Sequence, residues 1–112
     1  MQHAGKSNIF KEIDYLRKRP SMLFRGGATY VAVETYLIGY IRAMGDYSGV
    51  NLLHEMHLWF QEKIQQKASC FFMAHVDIYY HDKSEKERIA VLIDLVEEFF
   101  RAHPTFVAND RL

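Results

Sequence analysis

A chain of 112 residues that is 49% apolar is sized for one domain with a real core, and 14 basic against 14 acidic residues exclude a global field that would steer it onto nucleic acid. The single cysteine excludes an intrachain disulfide framework, and no apolar run approaches the length of a membrane span. With an N-terminus, MQHAGKSNIF, that lacks the apolar centre of a signal peptide, the expectation is a cytoplasmic protein in a reducing compartment.

In chain order, Ser7 is placed to cap a first helix that carries Ile9, Ile13 and Leu16 on one face and runs to about Arg19. Pro20 stops it, because proline disfavours helical geometry in the residue before it. Gly26-Gly27 turns the chain, and Thr29 caps a second helix with Val33, Leu37, Tyr40, Ile41 and Met44 as its buried stripe. Gly45-Asp46 reads as the end of that helix.

Asn51 caps a third helix with Leu53, Met56, Phe60 and Ile64 on one side, and Leu52 and Trp59 on an adjoining side. Residues 70–81 are ambiguous: the β-branched and aromatic content suits a strand, while Phe72, Val76 and Tyr79/Tyr80 fit a helical face. Helix is preferred, since no second strand-like run exists to pair with a lone strand. Ser84-Glu85-Lys86-Glu87 reads as a capping box opening a last helix with Ile89, Leu92, Val96 and Phe99/Phe100 inward, closed at His103-Pro104. The expected fold is all-α, a single compact bundle of about five helices over residues 1–112, with its core at about 7–103.

Charge is unevenly spread along this bundle. Residues 1–25 hold six Lys/Arg against Glu12 and Asp14, whereas residues 77–98 hold seven acidic residues against Lys83, Lys86 and Arg88. The stretch LRKRPSMLFRGG concentrates Arg17, Lys18, Arg19 and Arg25 around Pro20, and its bland reading is a solvated helix end whose cations favour the negative pole of the helix dipole.

Six histidines invite metal or acid–base chemistry. His54 and His57 in HEMH stand at i and i+3, one residue short of the zincin spacing, with no third ligand nearby in sequence. His75 and His81 neighbour Asp77 and Asp82, but no glycine-rich loop organises them. Cys70, in SCFFM, looks interior and hence a poor nucleophile. No catalytic, cofactor-binding or metal-ligating set is expected. Seven tyrosines exceed what a small core takes up, since each buried hydroxyl needs a partner, and tyrosine with arginine is the composition of protein-binding surfaces.

RKRPSM resembles the RKRPGMYIG element of the ATPase domain of DNA gyrase B subunits, but the resemblance stops after a dozen or so residues. The Asp-x-Gly-x-Gly element and glycine-rich lid of those ATPases are missing, which rejects nucleotide hydrolysis. A fuller resemblance is to small helical bacterial immunity proteins of contact-dependent growth inhibition and polymorphic toxin systems. Their Arg-Pro-x-Met opening corresponds to Arg19-Pro20-Ser21-Met22, followed by YLIGY from Tyr36 to Tyr40, by Trp59-Phe60-Gln61-Glu62-Lys63, and by the final helix from Glu87 to Phe100. Leu23 stands where those proteins have an aromatic residue, and Arg25 interrupts the step to glycine.

The resemblance implies a non-enzymatic inhibitor that binds the C-terminal domain of a cognate toxin, a nuclease and first of all an RNase, and blocks its active site or substrate surface. A basic nuclease groove calls for an acidic partner surface. That places the expected contact at Asp77, Tyr79, Tyr80, Asp82 and Glu85, with no cofactor, no membrane and no direct nucleic acid involved. The alternative is a nucleic-acid-binding regulator using Arg17 to Arg25, against which net neutrality and the missing helix-turn-helix pattern count. A helical enzyme built on His54, His57, His75 or His81 is a third.

Overall fold

A computed structural model describes residues 8–109, with the side chains at 21, 22, 108 and 109 outside that description. Among the described residues there are helices and no strand. The first, α1 (Ile9–Lys18), is capped by Asn8, whose side chain accepts the Lys11 N–H at 3.1 Å. Ser7, expected in that role, lies outside the described residues. Ile9, Ile13 and Leu16 are buried as their spacing predicts.

Pro20 does more than stop α1. It opens a single turn, α2 (Pro20–Leu23), at the first helical position, where its missing N–H leaves nothing unpaired. Gly26 and Gly27 then sit at φ +82° and +100°, a left-handed geometry that glycine adopts without penalty, and swing the chain round. Phe24 packs half-buried, edge-on to Tyr36 with ring centroids 6.1 Å apart. The sequence of this joint suits Met22 and Phe24 as plugs between the helices; the Met22 side chain lies outside the description.

α3 (Tyr30–Ser48) starts at Thr29, whose hydroxyl accepts the Ala32 N–H at 3.1 Å. Val33, Leu37, Ile41 and Met44 are buried, while Tyr40 is only half-buried. The helix does not end at Gly45-Asp46 as the sequence predicted. Gly45 is there for close approach: a Cβ on it would stand 2.3 Å from the Val50 carbonyl oxygen. The true end is Gly49, at φ +78°, with its N–H donating to the Gly45 carbonyl at 2.8 Å.

α4 (Leu52–Ile64) is capped by Asn51 and buries Leu52, Met56 and Phe60, with Leu53, Trp59 and Ile64 half-buried, so it is covered from two sides. Residues 72–79 are helical, α5 (Phe72–Tyr79), burying Phe72, Met73, His75 and Val76. Cys70 is half-buried ahead of this helix rather than interior. α6 (Glu85–Ala102) opens on the expected capping box, with Ser84 Oγ accepting from Glu87 N–H at 3.2 Å and the Glu87 carboxylate accepting from Ser84 N–H at 3.0 Å. Pro104 does not close the bundle. It opens α7 (Pro104–Asn109), whose Phe106 ring stacks on Phe99 at 5.9 Å.

Five of these helices have eight residues or more, which makes an all-α bundle of five with two short additions. α6 lies at its centre, against α1, α3, α5 and α7, and α4 bridges α3 to α5. Phe60 is the aromatic hub of the α4–α5 join, edge-on to Phe72, His75 and Tyr79 at 5.6, 5.1 and 6.0 Å. No helix among the described residues is long and apolar enough to cross a membrane.

Candidate functional site

The join between the end of α5 and the start of α6 is organised by Arg88. Its Nε donates to Asp77 at 2.7 Å, its Nη1 donates to the Lys83 carbonyl at 2.6 Å, and its guanidinium lies 6.0 Å from the Tyr30 ring centroid. One side chain thus fastens the loop after α5 to both flanking helices. Tyr30 completes the knot. As the first residue of α3 its N–H has no partner within the helix, and the Glu85 carboxylate accepts it at 2.9 Å. Its hydroxyl donates to the Met73 carbonyl at 2.8 Å inside the core.

One turn further along α3, Glu34 joins the same group. Burial, and then the neighbouring Asp77 carboxylate, push its pKa above the usual range. The Tyr30 hydroxyl is pushed up too, by burial first and then by Asp77 and Glu34. Glu34, Asp77 and Glu85 are therefore gathered around Tyr30, with Arg88 as the cation among them. Exposed apolar side chains adjoin them in sequence: Val31 is 67% and Ile78 61% exposed.

Tyr79 and Tyr80 turn away from this group towards α4. Their rings meet edge-on at 4.9 Å, and Tyr79, 40% exposed, leans its ring edge on Phe60. Burial and then Tyr79 raise the Tyr80 pKa, with smaller effects from Lys63 and Glu98, which form an ion pair of 2.6 Å between α4 and α6. Asp82 is exposed in the loop and makes no ion pair among the described residues.

Of the five residues predicted to meet a partner, then, the structure brings Asp77 and Glu85 together around Tyr30, sets Tyr79 and Tyr80 apart as a tyrosine pair, and leaves Asp82 in the loop. Glu85 is committed to capping α3. Sequence reasoning missed Glu34 and Arg88: no local pattern signals that α3 approaches the last turn of α5.

The basic stretch is less available than its composition implies. Arg17 reaches across to α6, with Nη2 at 2.6 Å from Asp94 and Nη1 at 2.6 Å from Glu97. Against the desolvation that lowers its pKa, those two carboxylates raise it. Lys18 pairs with Asp14 at 3.1 Å, while Arg19 and Arg25 are exposed. His54, His57 and His75 come close together at the α4–α5 join, but no three His, Cys, Asp or Glu side chains among the described residues form a metal-ligand group.

Compared with protein-family models, curated proteins and solved structures, the chain matches none.

Proposed function

We propose that this chain is a cytoplasmic, non-enzymatic immunity-type inhibitor that binds a cognate bacterial toxin domain, a nuclease with an RNase first, and covers its active site or substrate surface. The observation that carries this reading is the acidic group of Glu34 and Asp77 from two helices, with the exposed Val31 and Ile78 next to it in sequence. Asp77 already holds Arg88 at 2.7 Å, whereas Glu34 has no ion pair among the described residues, so a cationic partner group would meet Glu34 first. A nuclease must hold a polyanion, so its substrate surface is basic. The exposed aliphatic side chains of Val31 and Ile78 supply apolar area next in sequence to the charge, as partner-binding surfaces require.

Two further points support the reading. The resemblance of the Arg19-Pro20-Ser21-Met22 opening and of the later motifs to immunity proteins runs along most of the chain. Among the described residues, the ion pairs of Arg17 and Lys18 leave the alternative, a nucleic-acid-binding regulator, with Arg19 and Arg25 of its four cations outside any ion pair.

The test is co-expression with the toxic domain encoded next to this chain in its own genome. Rescue of growth together with a complex that co-purifies at fixed stoichiometry supports the inhibitor. A toxic neighbour that kills as efficiently in the presence of the chain, with no complex, rejects it.

A further inference from the structure

A depression of about 320 Å³ lies where α3 meets the start of α4. Ile38, Leu53 and Phe71 give it apolar walls, and Arg42, His54 and His57 bring nitrogen to it from two helices. Its lining contains no carboxylate. Arg42 is exposed and makes no ion pair among the described residues. The acidic residue one turn along, Asp46, lines the adjoining depression of about 430 Å³ with Arg42, yet the two form no ion pair.

This arrangement differs from a solvated surface arginine in two respects. Arg42, whose guanidinium is a planar fork matched to a carboxylate, lines one concavity together with two histidines. The wall next to it is made of one aromatic and two aliphatic side chains, and Phe71, 44% exposed overall, leaves apolar surface for a ligand to rest on. Small-molecule sites combine these features: a mostly apolar hollow with a few convergent polar groups, at volumes from about 300 Å³ upwards.

We propose that this depression binds an organic carboxylate carried on a small apolar or aromatic body. Arg42 takes the carboxylate, His54 and His57 lend further donors, and the body rests on Ile38, Leu53 and Phe71. Such a carboxylate arrives either as a free small acid or as an acidic side chain beside an aromatic one on a peptide. The free acid fills the depression alone, whereas the peptide extends into the adjoining one, which shares Arg42, Asn51 and Leu53. The site does not depend on the inhibitor reading.

The full-length protein, labelled with nitrogen-15, is titrated with 3-phenylpropionate, with the blocked dipeptide N-acetyl-Asp-Phe-amide, and with 3-phenylpropanol as the uncharged control. Saturable amide shifts at Arg42, Leu53, His54 and Phe71 are expected with at least one of the acids, at about millimolar affinity, and about tenfold weaker with the alcohol. Tighter binding of 3-phenylpropionate assigns a free acid, and tighter binding of the dipeptide assigns a partner's side chain. Arg42→Gln, at an exposed position with no ion pair among the described residues, is expected to weaken both about tenfold, with an unchanged amide spectrum elsewhere as the check on folding. No saturable shift with either acid, equal shifts with the alcohol, or undiminished binding to Arg42→Gln overturns the proposal.

Discussion

The ring of His57 on α4 meets the ring of His75 on α5 edge-on, centroids 5.6 Å apart, and His57 Nε2 and His75 Nδ1 are buried with no hydrogen-bond partner among the described residues. Burial lowers the pKa of both from the ordinary 6.5, and at His57 the neighbouring His75 and His54 lower it further. The unfolded chain therefore takes up these protons at a higher pH than the folded one. Their contribution to stability is fully present above pH 6.5 and is lost as the pH falls below it. Urea midpoints measured from about pH 7.5 down to about pH 5 should fall, and His75→Leu should fall less steeply over the same range. Equal slopes in the two proteins would show that His75 titrates as freely folded as unfolded.

Gly45 and Gly39 lie on the same helix and should respond oppositely to alanine. At Gly45 the new methyl meets the Val50 carbonyl at 2.3 Å, backbone that cannot step aside without disturbing the turn into α4. Gly45→Ala should cost about 2 kcal/mol or more. Gly39 has open space around it and sits exposed in mid-helix, so Gly39→Ala should stabilise by about 1 kcal/mol. Thermal unfolding of the pair checks both signs at once.

Tyr30 ties the start of α3 to the first turn of α5 through its hydroxyl on the Met73 carbonyl. Tyr30→Phe keeps the ring and removes that donor inside the core, which should cost about 1–2 kcal/mol. An unchanged denaturant slope with a lower midpoint would confirm a loss of stability alone.

Arg17 joins α1 to α6 through Asp94 and Glu97. The group is partly exposed, so Arg17→Ala should cost only about 1 kcal/mol, and the difference from wild type should shrink in molar salt. A salt-independent difference would instead assign the loss to the packing of the arginine stem.

The helices were legible where the signal is local. The Ser84–Glu87 capping box, the caps at Thr29 and Asn51, and the apolar stripes of α3 and α6 each lie within a few residues of what they determine. Residues 72–79 were legible as helix only by elimination, because their composition serves either structure. Two errors came from treating glycine and proline as punctuation. Gly45 admits a carbonyl in the middle of a packed turn, and Pro104 begins α7 instead of ending the bundle. At the candidate surface, Asp77, Glu85 and the tyrosines were picked out by composition, but which of them meet is a tertiary matter. Glu34 with Asp77, Arg88 with Tyr30 and His57 with His75 each join side chains from different helices, and periodicity within one helix carries no information about such pairs.

The most direct test of the proposed function is the affinity of any toxic domain encoded beside this chain for wild type and for the charge-reversed Glu34→Arg/Asp82→Arg variant, by isothermal titration at low and high salt. Asp82 is exposed and Glu34 half-buried, and neither makes an ion pair among the described residues. One-to-one binding is expected, weakened about tenfold or more by the reversal, with the difference narrowing as salt rises. Absence of binding, or an affinity that the reversal leaves unchanged, would contradict an inhibitor that works through this acidic face.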